Sequence, residues 1–333
     1  MQQHRRLLRS FLVVAFALAA PLSLAVASDL QKNSGAQAAT LFYLNIRGNE
    51  IVRVRADGSD RKIIVQQQSS GPDGIAVDLA AGHVYWTNMG KASLDDGTVM
   101  RADLDGGHVT TIVPAGGTFT PKQLKIDSLH RKLYWSDREG MRIMRANTDG
   151  SNIETLVITG RGDVERQDKS RWCVGIALDV SRGKIYWTQK GGDNAGAGTL
   201  KRTNMEIPPG VDAARRTDIE VLFSHLPEPI DMDLDLDNQM IYWTDRGDNT
   251  ISRAPMYPRG KKPFDPAARK DRQILVRNLS EAIGIALDPP NNRMFYTALG
   301  GEVGVAALNG KNARTLLDKQ GALTGIALVE LNR

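Results

Sequence analysis

Ile241-Tyr242-Trp243-Thr244-Asp245, followed six positions later by Ile251-Ser252-Arg253-Ala254, is the stretch on which the reading of this chain turns. Asp235 stands seven residues before Tyr242 at the end of a short apolar run. The same spacing joins Asp78 to Tyr85-Trp86-Thr87, Asp127 to Tyr134-Trp135-Ser136, Asp179 to Tyr186-Trp187-Thr188 and Asp288 to Phe295-Tyr296-Thr297. A sixth aromatic pair, Phe42-Tyr43, lacks the preceding run, which reappears at the other end of the chain as Leu323-Thr324-Gly325-Ile326-Ala327-Leu328. Aromatic pairs recurring every 43 to 56 residues are an internal repeat, and periods of that length belong to propellers, solenoids or arrays.

Each copy reads as four short strands. Gly74-Ile75-Ala76-Val77-Asp78 precedes a turn and the aromatic strand His83–Thr87. Thr98–Asp103 and Thr110–Val113 supply the third and fourth, with Asp105-Gly106 between them as a hairpin-turn signal. Helical periodicity is nowhere sustained. Four antiparallel strands repeated radially make a propeller blade, and the stacked aromatic faces of neighbouring blades account for the Tyr-Trp pairs as core packing. The expected fold is therefore all-β, a six-bladed β-propeller. Its first blade takes Leu41–Leu44, Glu50–Arg55 and Lys62–Val65 from the start of the chain and its innermost strand, Gly325–Leu328, from the end. That clasp removes the open edge that invites edge pairing.

The pattern Ile/Leu-Tyr-Trp-Thr-Asp with a following Ile-x-Arg-Ala resembles the YWTD (class B) repeat of the low-density-lipoprotein receptor family, also found in nidogen. The resemblance covers about residues 40 to 329 and implies a six-bladed propeller. It also implies that the motif's last Asp is a structural hydrogen-bonding residue. Asn88 and Gln189 replace that Asp, and blade 6 reads Phe295-Tyr296-Thr297-Ala298, departures that bear on local rigidity.

Residues 1–27 read as a signal peptide, with a basic His4–Arg9 region, an apolar Phe11–Ala25 run and the small-x-small Ala25-Val26-Ala27. Residues 28–39 read as a linker and 40–333 as the propeller. Without the signal the formal charge falls from +5 to 40 basic against 38 acidic residues, an ordinary solvated surface with no basic stripe for nucleic acid. No later segment is apolar for long enough to span a bilayer. Cys173 is the one cysteine, so no intramolecular disulfide holds the fold. Class B propellers of animal receptors usually have disulfide-bonded neighbours. Their lack fits a free-standing, secreted or periplasmic, bacterial monomer.

Loops between second and third strands share a face with those that join blades, and the polar segments collect there. Aligning the six inner strands adds a sharper signal. The glycine position reads Gly74, Gln123, Gly175, Asp231, Gly284, Gly325; the alanine position reads Ala76, Lys125, Ala177, Asp233, Ala286, Ala327. Crowding near the axis favours small residues, and buried unpaired charge is costly. Either a Lys125–Asp231/Asp233 ion pair lines a wet channel or a ligand sits there.

The candidate ligand-binding set at the channel mouth is Asp73, Gln123, Lys125, Trp172, Asp231 and Asp233. Asp231, Asp233, Asp235 and Asp237 alternate toward one strand face, and calcium on Asp231 and Asp233 would relieve their repulsion. No Ser/His/Asp or Cys/His grouping can be assembled on one face. The first reading is thus an extracytoplasmic module binding a protein, peptide or glycan without chemistry. The alternative is a calcium-dependent propeller hydrolase or lactonase using Asp231, Asp233, Asn88 and Asp73. The insertions Glu206–Asp218 and Pro255–Asp271 on the opposite side read as solvated decoration. Arg161-Gly162-Asp163 and Arg246-Gly247-Asp248 repeat a short adhesive tripeptide. Asn278-Leu279-Ser280 is a glycosylation sequon, meaningful in a eukaryote.

Overall fold

Alternation along the aromatic strands decides how the sheets stack. In a strand, successive side chains leave by opposite faces. The Tyr of each pair therefore packs against one neighbouring sheet and the Trp against the other. Tyr85 meets Trp135, Tyr134 meets Trp187, Tyr186 meets Trp243, and Phe42 meets Trp86 in successive apolar clusters, all buried. Tyr43 closes the series against Phe295. In the computed structural model, which describes residues 39–68, 70–258 and 264–330, these contacts join six four-stranded antiparallel sheets into a six-bladed propeller. The signal-peptide reading of residues 1–27 lies outside the described residues, and the first strand already begins at Ala39.

The inner strands of blades 2 to 6 are Pro72–Asp78, Pro121–Asp127, Cys173–Asp179, Pro229–Asp235 and Ala282–Asp288. That of blade 1 is Leu323–Glu330, paired antiparallel to Ala39–Asn45, so the expected clasp of the two ends is present. The motif threonine explains the glycine beside the axis. Thr188 Oγ1 accepts from Gly175 N at 2.7 Å and donates to Ile230 O of the next blade at 2.6 Å. Thr87 does the same between Gly74 N and Lys122 O, and Thr244 between Asp231 N and Ile283 O. A Cβ on Gly175 would lie 2.2 Å from Ile230 O, so the staple leaves no room for a side chain there. Blade 1 has Leu44 at the threonine position. Thr324 of its inner strand compensates by donating to Pro72 O at 2.9 Å.

The opposite face is held by a second sixfold device. Gly106 and Gly150 of the Asp-Gly turns have φ of 94° and 85°, and a Cβ on either would lie 1.9 Å from the carbonyl oxygen of Ile64 or Ile112 on the preceding blade. Gly310 approaches Leu275 O in the same way, at 2.4 Å, whereas Gly58 packs more loosely on the Leu316 side chain, at 3.3 Å. Blades 4 and 5 carry the long insertions instead of these turns, and there an arginine takes the contact. Arg216 Nη1 donates to Leu156 O at 3.0 Å, and Arg269 Nη1 donates to Leu222 O at 3.3 Å. Each guanidinium is also clasped by the carboxylate two residues on, Asp218 or Asp271. The expectation of solvated decoration is corrected: both insertions are docked through buried arginines, because a long turn must satisfy the backbone contact that a glycine turn makes directly.

Candidate ligand-binding face

The loop face is built by the residue that follows each aromatic strand and by the second residue of each inner strand. The motif's last position fixes these loops. Asp137 accepts from Phe119 N at 3.0 Å and Thr120 N at 2.7 Å, and Asp245 accepts from Glu228 N at 2.9 Å, each tying the strand to the incoming connection. Where Asn88 or Gln189 replaces the Asp, the tie persists by another bond. Asn88 pairs with Gln67 and Gln189 donates to Ser170 O at 2.7 Å, so the departures from the motif leave the loops anchored.

Immediately after that position the six blades present Ile46, Met89, Arg138, Lys190, Arg246 and Leu299. All six line a cavity of about 190 Å³ at the mouth of the channel. Three consecutive blades (3, 4 and 5) thus bring cations and three (6, 1 and 2) bring apolar groups. Beneath them Val174, Ile230 and Ile283 form a buried apolar cluster with Leu299 against it, plugging the axis. On the polar side Lys122 Nζ is bonded to Asp73, and Gln123 Nε2 donates to Asp73 Oδ1 at 3.2 Å. Burial pushes the Lys122 ammonium below the ordinary lysine value, with Asp73 opposing the shift. Glu228 bridges Lys190 at 2.5 Å and Arg246 at 2.9 Å. Through the shared lining residues Ile46 and Leu299 the mouth runs on into a larger groove of about 1010 Å³ across blades 5, 6 and 1.

The candidate residues fall into separate places. Asp73 lies in the mouth and holds Gln123 just below it. Trp172 is half-buried under the 159–171 loop beside the mouth, its Nε1 donating to Arg166 O at 2.9 Å and the Arg138 guanidinium lying 5.0 Å from its ring centre. Lys125 and Asp233 line a different cavity of about 180 Å³, farther down the axis, which shares no lining residue with the mouth. Lys125 Nζ stands 3.7 Å from Asp233 Oδ1, with about a quarter of its side chain (23%) open to that cavity although protein surrounds it.

Asp231 and Asp233 reach across to blade 6. Asp231 Oδ2 accepts from Ile285 N at 3.2 Å and Asp233 Oδ2 from Leu287 N at 3.0 Å, while Asp231 Oδ1 has no partner among the described residues. Burial pushes the Asp231 carboxyl up to about 7, with Lys125 opposing. The expected column of four carboxylates is corrected: Asp235 turns into the hairpin and accepts from Asn238, and Asp237 lies beyond the strand. Among the described residues no three His, Cys, Asp or Glu side chains cluster as a metal would need, and Asp231 and Asp233 already spend oxygens on backbone donors. These two carboxylates do not fit a calcium cage of six or more oxygens. The set Asp73, Asn88, Asp231 and Asp233 does not converge, since Asn88 is engaged by Gln67 and Thr98 and Asp73 by Lys122 and Gln123.

Known proteins agree with this architecture. A protein from Pyricularia oryzae named low-density lipoprotein receptor-related protein 1 is 41% identical over 298 residues, covering 86% of this chain and 94% of that relative. The chain belongs to the YWTD β-propeller family. A second relative, the 3-hydroxyacyl-CoA dehydrogenase-like protein LAM1 of Cochliobolus heterostrophus, is 37% identical over 85% of this chain, which spans 61% of LAM1. Among solved structures, a nidogen/laminin complex contains a chain that superposes with a TM-score of 0.67 at 23% identity, over 88% of this chain and 98% of that chain. No protein-family model matches the chain. No helix among the described residues is long and apolar enough to cross a membrane.

The sequence singled out Asp73 in the mouth but missed Arg138, Lys190 and Arg246. Their signal was available: they occupy one repeat position, directly after the motif's last residue, in three consecutive copies.

Proposed function

We propose that this YWTD propeller is an extracellular binding module that holds a segment of a protein partner on its loop face, in the mouth of the channel, without altering it chemically. The carrying observation is the division of the mouth. Ile46, Met89 and Leu299 offer an apolar arc over the plug, while Arg138, Lys190 and Arg246, already paired with Glu139, Glu228 or Asp193, offer their remaining hydrogen-bond donors on the other arc. An extended segment can bury an apolar side chain against the first and place carbonyl or carboxylate oxygens against the second, with the rest of its length in the adjoining groove. Pockets of mixed apolar walls and few polar groups are the usual form of such sites.

A protein partner fits better than a glycan. Sugar rings stack on open aromatic faces, and Trp172 is half-buried with Arg138 against its ring. The structural neighbour in a nidogen/laminin complex also supports a protein partner. Hydrolysis is the weaker reading because its carboxylates are dispersed between two cavities.

The test starts from peptides selected by display against the immobilised chain. Ile46→Asp and Arg246→Glu should each weaken the selected peptides at least tenfold, while Lys125→Ala leaves them unchanged. Peptides indifferent to both mouth substitutions, or lost with Lys125→Ala, would move the site away from the mouth.

A further inference from the structure

We propose that Asn278 carries an N-linked glycan at the rim of the loop face; the inference rests on the extracellular part of the reading above. Asn278-Leu279-Ser280 is the single Asn-x-Ser/Thr tripeptide in the 333 residues. Many such tripeptides are buried in folded proteins, and this one is presented. Asn278 and Ser280 are both exposed, and the Asn278 amide is bonded to none of the described residues. Leu279 between them is buried in the apolar cluster of blades 5 and 6, so the middle residue anchors the turn while its neighbours project.

The turn is well held. Leu279 N donates to Asn249 O at 3.1 Å, Glu281 N to Asn249 Oδ1 at 3.1 Å, and Gly300 N to Ser280 O at 3.0 Å. Asn278 has φ of 59°, in the left-handed region that asparagine adopts more readily than other side chains. Two relatives that each match about 85% of this chain are fungal, so they come from cells that make N-linked glycans.

The donor implied is a polyprenyl-diphosphate-linked oligosaccharide. The Asn278 amide nitrogen forms a bond to the anomeric carbon, the bond from that carbon to the diphosphate oxygen breaks, and the amide loses one proton as the polyprenyl diphosphate leaves. No redox change occurs. Leu279, Ser280 and Glu281 line the groove that continues from the mouth, so the glycan would stand beside its blade 5–6 end. A segment held in that groove would then enter it from the blade 1 end.

The experiment is secretion of the full chain from a fungal host, followed by peptide mapping and intact mass before and after peptide-N-glycosidase. Expected are a glycan mass on the peptide containing Asn278, conversion of Asn278 to Asp on release, loss of the glycan in Asn278→Gln and Ser280→Ala, and its retention in Ser280→Thr. Secreted chain with unmodified Asn278 overturns the glycan and leaves the binding face standing. Chain retained in the cytoplasm overturns both. If Asn278→Gln is not secreted, Ser280→Ala, which leaves the asparagine in its turn, decides the matter.

Discussion

Replacing Asp231 by Asn isolates the one strongly perturbed carboxyl on the channel axis. The folded protein holds this group up to about 7 against an ordinary value of 3.8, burial being the main cause and Lys125 the opposing one. Above pH 4 the unfolded chain has released the proton that the folded chain retains until about pH 7. Stability from this group is therefore greatest in acid and falls as pH rises through that window, levelling off above it. About three pH units at about 1.4 kcal/mol each set a ceiling of about 4 kcal/mol for the loss. Asn keeps the acceptor that meets Ile285 N and never ionises. Asp231→Asn should thus match the wild type near pH 4.5 and be more stable by about 1 to 4 kcal/mol at pH 8. Urea unfolding followed by tryptophan fluorescence at half-unit pH steps measures both curves. A variant that is less stable than wild type at pH 8, or whose difference does not change with pH, would show that ionised Asp231 stabilises the ring through Lys125, and the burial argument would fail.

Three further predictions address the ring. Thr188→Val removes one buried acceptor and one buried donor between blades 4 and 5 and should cost about 2 to 3 kcal/mol in urea unfolding, with Thr324→Val showing a smaller loss because it makes one such bond. Arg269→Ala strands Asp271 and the carbonyls of Leu222 and Pro255, so a loss of about 3 kcal/mol and early proteolytic cutting within 255–271 are expected, measured by unfolding and timed digestion. Burial pushes the Cys173 thiol up to about 12, so a disulfide reagent at pH 8 should label it only after denaturant is added, and rapid labelling of the native chain would contradict the packing around it.

The ring was legible in the sequence because its physics is repetitive. Tyr-Trp pairs at fixed distance from an Asp declare stacked faces, and an unpaired aromatic strand at one end with an unpaired inner strand at the other declares the clasp. Blades 4 and 5 hid more. Once their Asp-Gly turns are replaced by insertions, no local pattern says that Arg216 and Arg269 take over the contact, because the partners are carbonyls on the preceding blade, 60 and 47 residues away. The site was only half legible. Inner-strand alignment finds charge on the axis, yet it cannot separate depth. Asp73 at the second position opens into the mouth, whereas Lys125 and Asp233, three positions further along, open below the apolar plug.

Depth also explains why the two charged groups have different work. In the lower channel the carboxylates of Asp231 and Asp233 each take a backbone N–H of blade 6, and those bonds do for blade 5 part of what glycine-lined contact does elsewhere. Charge there serves the ring. At the mouth, the staples run through threonine and the loops are tied by the motif's last residue, so the side chain that follows carries neither of those bonds, although Lys190 and Arg246 share Glu228 and Arg138 pairs with Glu139. Six equivalent positions that neither staple nor tie fills need not sort by chemical character. Instead they divide into one continuous cationic arc and one continuous apolar arc facing a common cavity. Glu228 accounts for Lys190 and Arg246 lying side by side, but the staples and loop ties do not ask for an apolar arc opposite them, whereas a segment with one polar and one apolar edge does.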